Sequence, residues 1–123
     1  MIAMLQSPEP DPALDVFRGG LAALRRDGEV AGHVATTVTT FWAPFKFSRR
    51  RQWWVWYIVV WANGDRERAD EDYPPWTVVR EMLSGTFIWD QDDGHRGDYA
   101  VEWLSEEARQ ETLSALRIGP ADF

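Results

Sequence analysis

Trp53-Trp54-Val55-Trp56-Tyr57-Ile58-Val59-Val60-Trp61 decides the fold: nine consecutive apolar or aromatic residues, holding four of the eight tryptophans. β-Branched and aromatic side chains fit a pleated sheet better than a helix. The period of two puts Trp53, Val55, Tyr57, Val59 and Trp61 on one face, and Trp54, Trp56, Ile58, Val60 and Ala62 on the other. Neither face is polar, so the stretch reads as a central strand covered on both sides. A membrane helix needs roughly 20 apolar residues. This run is shorter and is bracketed by Arg49-Arg50-Arg51 and Asp65-Arg66-Glu67-Arg68.

Outward from this strand, residues 29–42 are rich in valine and threonine and read as its antiparallel partner. The connection carries Phe45, Lys46, Phe47 and the arginines, and Pro44 should end the regular ladder or mark an edge. Towards the N-terminus, Ser7 to Pro12 alternates with proline and reads as an extended lead-in, so residues 1–11 are set apart from a single domain over 12–123. Asp11 and Pro12 resemble a helix start. Leu14, Phe17, Leu21 and Leu24 then recur at helical spacing. Gly19-Gly20 inside that pattern costs roughly 2 kcal/mol, which implies a bend or a closely packed backbone. Gly28 reads as the residue after the helix, behind Arg25 and Arg26.

Beyond the central strand, Asn63-Gly64-Asp65 is a turn signal. Residues 65–72 are charged except for Ala69 and read as a solvated loop. Tyr73-Pro74-Pro75 leads into a short helix with Trp76, Val79 and Leu83 on one face and Val78 and Met82 beside them, stopped by Gly85. Thr86–Gln91 and Asp98–Leu104 alternate as a hairpin around Asp92-Asp93-Gly94. Ser105 caps a last helix with Glu106 and Glu107 in its first turn, and Gly119-Pro120 ends it. The expected order is α-β-β-α-β-β-α. That is an α+β domain: an antiparallel sheet of about four strands in two hairpins, with helices mainly on one face. Trp76, Trp89 and Trp103 are expected to meet the tryptophan-rich strand in one core.

The 123 residues suffice for a sizeable core, and a 45% hydrophobic content argues against disorder. Cysteine is absent. This excludes disulfides and thiolate metal sites and points to a reducing, cytoplasmic setting. Met1–Leu5 is apolar but lacks a basic start and soon meets Ser7 and prolines, which argues against a secretory leader. The net charge of −7 divides into +2 over residues 1–62 and −9 over 63–123. The acidic part should repel nucleic acid and attract basic surfaces.

Candidate chemistry is sparse. Asp90, Asp92, Asp93 and Asp98 surround His95, but calcium-loop spacing fails: Gly94, His95 and Val101 fall where ligands or the turn glycine belong. Turn formation accounts for Asp92-Asp93-Gly94 without a ligand. His33 and His95 are the only histidines. The serines lack a nucleophile-elbow context, and Gly19-Gly20 is no phosphate loop. Glu102 and Asp90, beside apolar hairpin faces, are the carboxylates best placed to act as a buried general acid. No catalytic residue, metal or cofactor is assigned.

The binding candidates form two groups. Phe45, Lys46, Phe47, Arg49, Arg50 and Arg51 interleave aromatics with cations, a pattern that holds phosphates or bases or guards a strand edge. Trp42 belongs with Phe45 and Phe47 as an interface anchor if exposed. Asp65, Glu67, Asp70, Glu71 and Asp72 form an acidic patch. The leading expectation is a small, acidic, soluble, cytoplasmic protein that binds rather than catalyses. Its partner is a protein with a basic surface. In size and charge it matches inhibitors or adaptors of nucleic-acid-handling proteins from phages and mobile elements. One alternative is a small-molecule-binding protein or enzyme with a pocket between sheet and helices. A second is a nucleic-acid-binding accessory factor using the Arg49–Arg51 loop. No membrane association is expected.

Overall fold

The computed structural model describes residues 12–45, 48–73 and 77–123, with side chains over 14–39, 53–70 and 77–123. In chain order it contains a 3-10 segment Pro12–Phe17, β1 (Leu21–Arg26), β2 (Glu29–Phe45), β3 (Ser48–Trp61), β4 (Arg66–Tyr73), α1 (Val78–Leu83), β5 (Thr86–Trp89), β6 (Gly97–Trp103), α2 (Glu106–Leu116) and a 3-10 segment Pro120–Asp122. The strands form one six-stranded sheet in the order β4-β3-β2-β1-β6-β5. Every neighbouring pair is antiparallel.

This corrects the α+β reading: the described residues are mostly β, with six strands and one helix longer than two turns. The expected β2–β3 and β5–β6 hairpins are both present. Two segments account for the error. The helix expected over residues 12–27 is a 3-10 turn followed by β1. Leu14, Phe17, Leu21 and Leu24 are all buried, so their spacing reported burial correctly and secondary structure wrongly. In β1 both faces are covered: Leu24 packs in one cluster and Leu21 in another. A strand buried on both faces loses its alternation. The stop at Asp27-Gly28 is a hairpin turn, with φ of 53° and 81°. Two consecutive positive φ values suit the right-handed twist of paired strands, and Asp-Gly supplies them at low cost.

The second error is the supposed loop at 65–72, which is β4. It pairs with β3 from Trp53↔Tyr73 to Val60↔Arg66. As an edge strand, it bears charges that discourage pairing with another chain. Two smaller differences concern the helices. α1 turns Val79 and Met82 inward, while Leu83, expected beside Val79, is 40% exposed. α2 ends at Arg117 in the left-handed conformation, with φ 57°, before Gly119.

The sheet curls strongly. β3 and β5 are not neighbours in the sheet, yet the Tyr57 and Phe87 rings lie 6.3 Å apart and the Trp61 and Trp89 rings 5.7 Å apart. The inner face therefore wraps a core of Leu24, Val34, Val55, Tyr57, Val59, Trp61, Phe87, Trp89 and Tyr99. Leu14 and Phe17 from the first 3-10 segment and Val79 and Met82 from α1 complete it. Trp89 and Trp103 join this cluster as expected, while Trp76 lies outside the described residues. On the outer face, Leu21, Ala35, Ile58 and Val60 are covered by Leu113, Leu116, Ile118 and Phe123 from α2 and the following residues. The cover is partial. Trp54 and Trp56, on the same outer face of β3, remain half-buried.

The join between the first 3-10 segment and β1 is tight. Thr36, the one fully buried polar side chain among the described residues, donates its hydroxyl to the Phe17 carbonyl at 3.0 Å. Its amide donates to the Gly20 carbonyl at 2.9 Å. A Cβ at Gly20 would lie 2.1 Å from the Val16 carbonyl oxygen, so only glycine permits this approach.

Candidate functional site

β2 and β3 are much longer than their neighbours. β1 pairs with β2 only as far as Leu21↔Ala35, and β4 pairs with β3 only as far as Trp53↔Tyr73. The β2–β3 ladder continues to Phe45↔Ser48. A two-stranded ribbon thus extends past the rest of the sheet.

The outer surface at the base of this ribbon is aromatic. The Trp54 and Trp56 rings stack 6.0 Å apart with an interplanar angle of 23°. The Trp56 indole N–H donates to the Thr39 hydroxyl at 2.8 Å, which fixes that ring against the sheet. Beside it runs an open groove of about 500 Å³ lined by Thr37, Thr39, Trp56, Arg68, Pro120 and Phe123. Arg68 also donates to the Asp122 carbonyl at 3.4 Å, pinning the C-terminal 3-10 segment at the groove's edge. In the β3–β4 register, Asp70 lies opposite Trp56 and Asp72 opposite Trp54. The stack therefore has acidic positions along one flank.

The opposite end of the sheet carries the β1–β2, β3–β4 and β5–β6 turns, and there polar contacts lock the fold. His95 stacks on Trp61 with centroids 4.4 Å apart and planes 3° from parallel. Its Nε2 lies 2.9 Å from Asp65 Oδ2. Asp65 also accepts from the Asn63 side chain at 3.0 Å. These bonds, from His95 first and then Asn63, hold the Asp65 carboxyl below its ordinary value. For Asp93, desolvation pushes the carboxyl up. The His95 amide at 2.9 Å and the Trp89 indole at 3.0 Å outweigh it, and the net shift is downward. Arg26 lies 5.7 Å from the centre of the Tyr99 ring and reaches the Arg96 carbonyl at 3.4 Å. The Trp61 indole N–H is buried without a partner among the described residues, so that ring is held by packing.

The acidic candidates do not form one surface. Asp65 is engaged by His95. Glu67 and Glu71 take register positions on the inner side of β4, opposite Val59 and Val55, while Asp70 and Asp72 take the outer side. Arg66 and Arg68 interrupt the run, and Arg66 donates to the Leu116 carbonyl. Of the basic group, Arg49, Arg50 and Arg51 stand on β3 opposite Pro44, Ala43 and Trp42, and Phe45 ends β2. Lys46 and Phe47 lie outside the described residues, and the side chains of Trp42, Phe45 and the three arginines lie outside those described.

The remaining candidates have ordinary surroundings. Glu102 pairs with Arg25 at the surface. Asp90 is exposed and accepts from the Gln91 side chain at 3.1 Å. Burial lowers the His33 pKa. Among the described residues no group of three or more histidine, cysteine or acidic side chains could hold a metal ion. No helix among them is long and apolar enough to cross a membrane. The Trp54–Trp56 pair had a sequence signal, namely two tryptophans on one strand face. The Asp65–His95 contact spans 30 positions and had none. A comparison with known protein families, with curated proteins and with solved structures finds no match.

Proposed function

We propose that the chain acts by binding another protein on the outer face of β2, β3 and β4, with Trp54 and Trp56 as anchors. The observation that carries this reading is the half-exposed tryptophan stack, whose Trp56 ring is fixed by the Thr39 bond. Interface hot spots are enriched in tryptophan and arginine and favour side chains that need little ordering on binding. The adjoining groove has the dimensions to take a partner's apolar side chain, with Arg68 at its side. Asp70 and Asp72 along the flank, together with the net charge of −7, favour a partner whose contact is apolar at the centre and basic at the rim. The chain is then an inhibitor or adaptor of a basic protein, such as a nucleic-acid-handling protein of a phage or mobile element.

The test is affinity capture from nuclease-treated host lysate with the wild type, W54A/W56A, and a control carrying E107A/E111A on the exposed side of α2. One protein retained by wild type and control, and lost with the tryptophan variant, is expected. Loss of a central tryptophan anchor costs about 2 kcal/mol or more, roughly a thirtyfold drop in affinity. Equal retention by all three would remove the tryptophan face from consideration. Recovery of nucleic acid alone, and only without nuclease, would shift the function to the Arg49–Arg51 ribbon.

A further inference from the structure

We infer that residues 37–43 of β2 form the pairing edge of a homodimer, joined antiparallel to the same strand of a second copy. Besides the start of β3 over 48–52, which β4 does not reach and which carries three arginines that protect it, three stretches among the described residues lack an outer neighbour over at least four residues. β4 carries six charged residues among its eight, which protects an edge. β5 has only four residues, and short edges pair poorly. The third is the stretch of β2 beyond Ala35, where β1 has ended. Among the described residues no strand pairs with it. Its sequence, Thr36-Thr37-Val38-Thr39-Thr40-Phe41-Trp42-Ala43-Pro44-Phe45, has no charge and favours strand as far as Trp42. At about 3.3 Å per residue, 37–43 offers an edge of roughly 23 Å.

The hydrogen-bonding direction of this edge can be read from the ladder. The Thr36 amide points away from β3, because it donates to Gly20. Alternation then turns the Val38, Thr40 and Trp42 amides outward as well. Pro44 shares that parity. Its missing N–H leaves the β3 ladder intact and costs nothing at an outward position. This outward row is the unpaired half of a ladder, and beyond Thr40, where β4 has also ended, two strands alone would hold only marginally.

A second copy suits the edge for two reasons. Antiparallel pairing of identical strands about Thr40, over 37–43, or about Thr39, over 37–41, stops short of Ala35 and Thr36, which β1 and Gly20 already hold, and brings outward amides of even-numbered residues opposite outward carbonyls of even-numbered residues, the self-complementarity a twofold interface requires. It also brings uncharged residues against uncharged residues, so two chains of net charge −7 meet where neither presents charge. Threonines then face one another or lie diagonally, a favourable cross-strand arrangement.

Sedimentation velocity on the full chain, over a wide range of loading concentrations, tests this with T39K, T39E and their equimolar mixture. Thr39 is exposed, and in either register the two copies of residue 39 lie directly opposite or about 7–8 Å apart on the diagonal. The wild type is expected to dimerise. Each single variant should be monomeric where the wild type is dimeric, with at least a tenfold weaker association, and the mixture should restore the dimer. Far-UV circular dichroism checks that each variant is folded. A dimer indifferent to both charges would place the interface elsewhere. A monomeric wild type would overturn the inference, and hydrogen exchange would then say what replaces the second copy. Protected amides at Val38, Thr40 and Trp42 would mean a segment of the same chain covers the edge. Rapid exchange would mean the edge is left for a different protein.

Discussion

Replacing Gly20 by alanine strains the joint that turns the chain from the first 3-10 segment into β1. The added methyl would sit 2.1 Å from the Val16 carbonyl oxygen, whereas even a close C–H···O contact needs about 3.3 Å. The chain must therefore give by about 1.2 Å. Escape sideways is blocked by Trp103 Cζ3 at 3.0 Å and Thr36 Oγ1 at 3.1 Å. Moving the 3-10 segment instead displaces Leu14 and Phe17, both at 0% exposure, and stretches the Thr36–Phe17 hydrogen bond. Overpacking of this kind costs about 1–3 kcal/mol, and the weakened hydrogen bond about 1 more. The expected loss is about 2–4 kcal/mol. Gly19 is the matched control. Its φ of +69° strains any other residue, but no atom lies within 4 Å of its Cβ position, so G19A should cost only about 1–2 kcal/mol. Urea unfolding reads both, with the slope unchanged if only the native state is affected. A G20A protein within about 0.5 kcal/mol of wild type, or one more stable than G19A, would refute the close approach.

Further predictions rest on single contacts. T36V keeps the shape of the core but leaves the Phe17 carbonyl without its side-chain donor; it should cost about 1–3 kcal/mol, and combined with G20A the loss should fall short of the sum because both act on one joint. Stability should fall with acid in two stages. His33, Asp65 and Asp93 all have folded pKa values below their ordinary ones, so the unfolded chain binds more protons and stability is lost as pH falls. The His33 contribution declines from its ordinary value of 6.5 downward, and those of the two aspartates from 3.8 downward. Urea midpoints that stay level from about pH 7 to about pH 5 would contradict the burial of His33. E102A, which breaks an exposed pair with Arg25, should stay within about 0.5 kcal/mol of wild type; a larger loss would mean that this pair supports the β1–β6 ladder.

The aromatic core strand and the β2–β3 and β5–β6 hairpins were legible because long apolar or alternating runs carry their own periodicity. β1 was not, because Leu21 to Leu24 is buried on both faces and a continuous apolar run fits either period. Asp27-Gly28 was the available correction: that dipeptide favours a hairpin turn over a helix end. β4 was hidden because charged residues suit loops in isolation, and only its place at the sheet edge explains them. The acidic patch looked continuous because sequence lists neighbours in order, whereas strand alternation sends Glu67 and Asp70 to opposite faces. The His95–Asp65 clip depends on the curl of the sheet, which no local pattern encodes. The tryptophan stack was half legible. The parity of Trp54 and Trp56 was plain, but their partial exposure depends on where α2 stops covering the outer face.

Site-resolved photocrosslinking tests the central claim, that the outer tryptophan face is the working surface, most directly. A photoreactive phenylalanine analogue is placed at Trp54, at Trp56 and, as a control, at Glu111 on the exposed side of α2, and each protein is irradiated with host lysate. The account predicts one protein joined at positions 54 and 56 and absent at 111. Crosslinks to the same protein from 111 with none from 54 or 56, or no crosslink at any position, would contradict it.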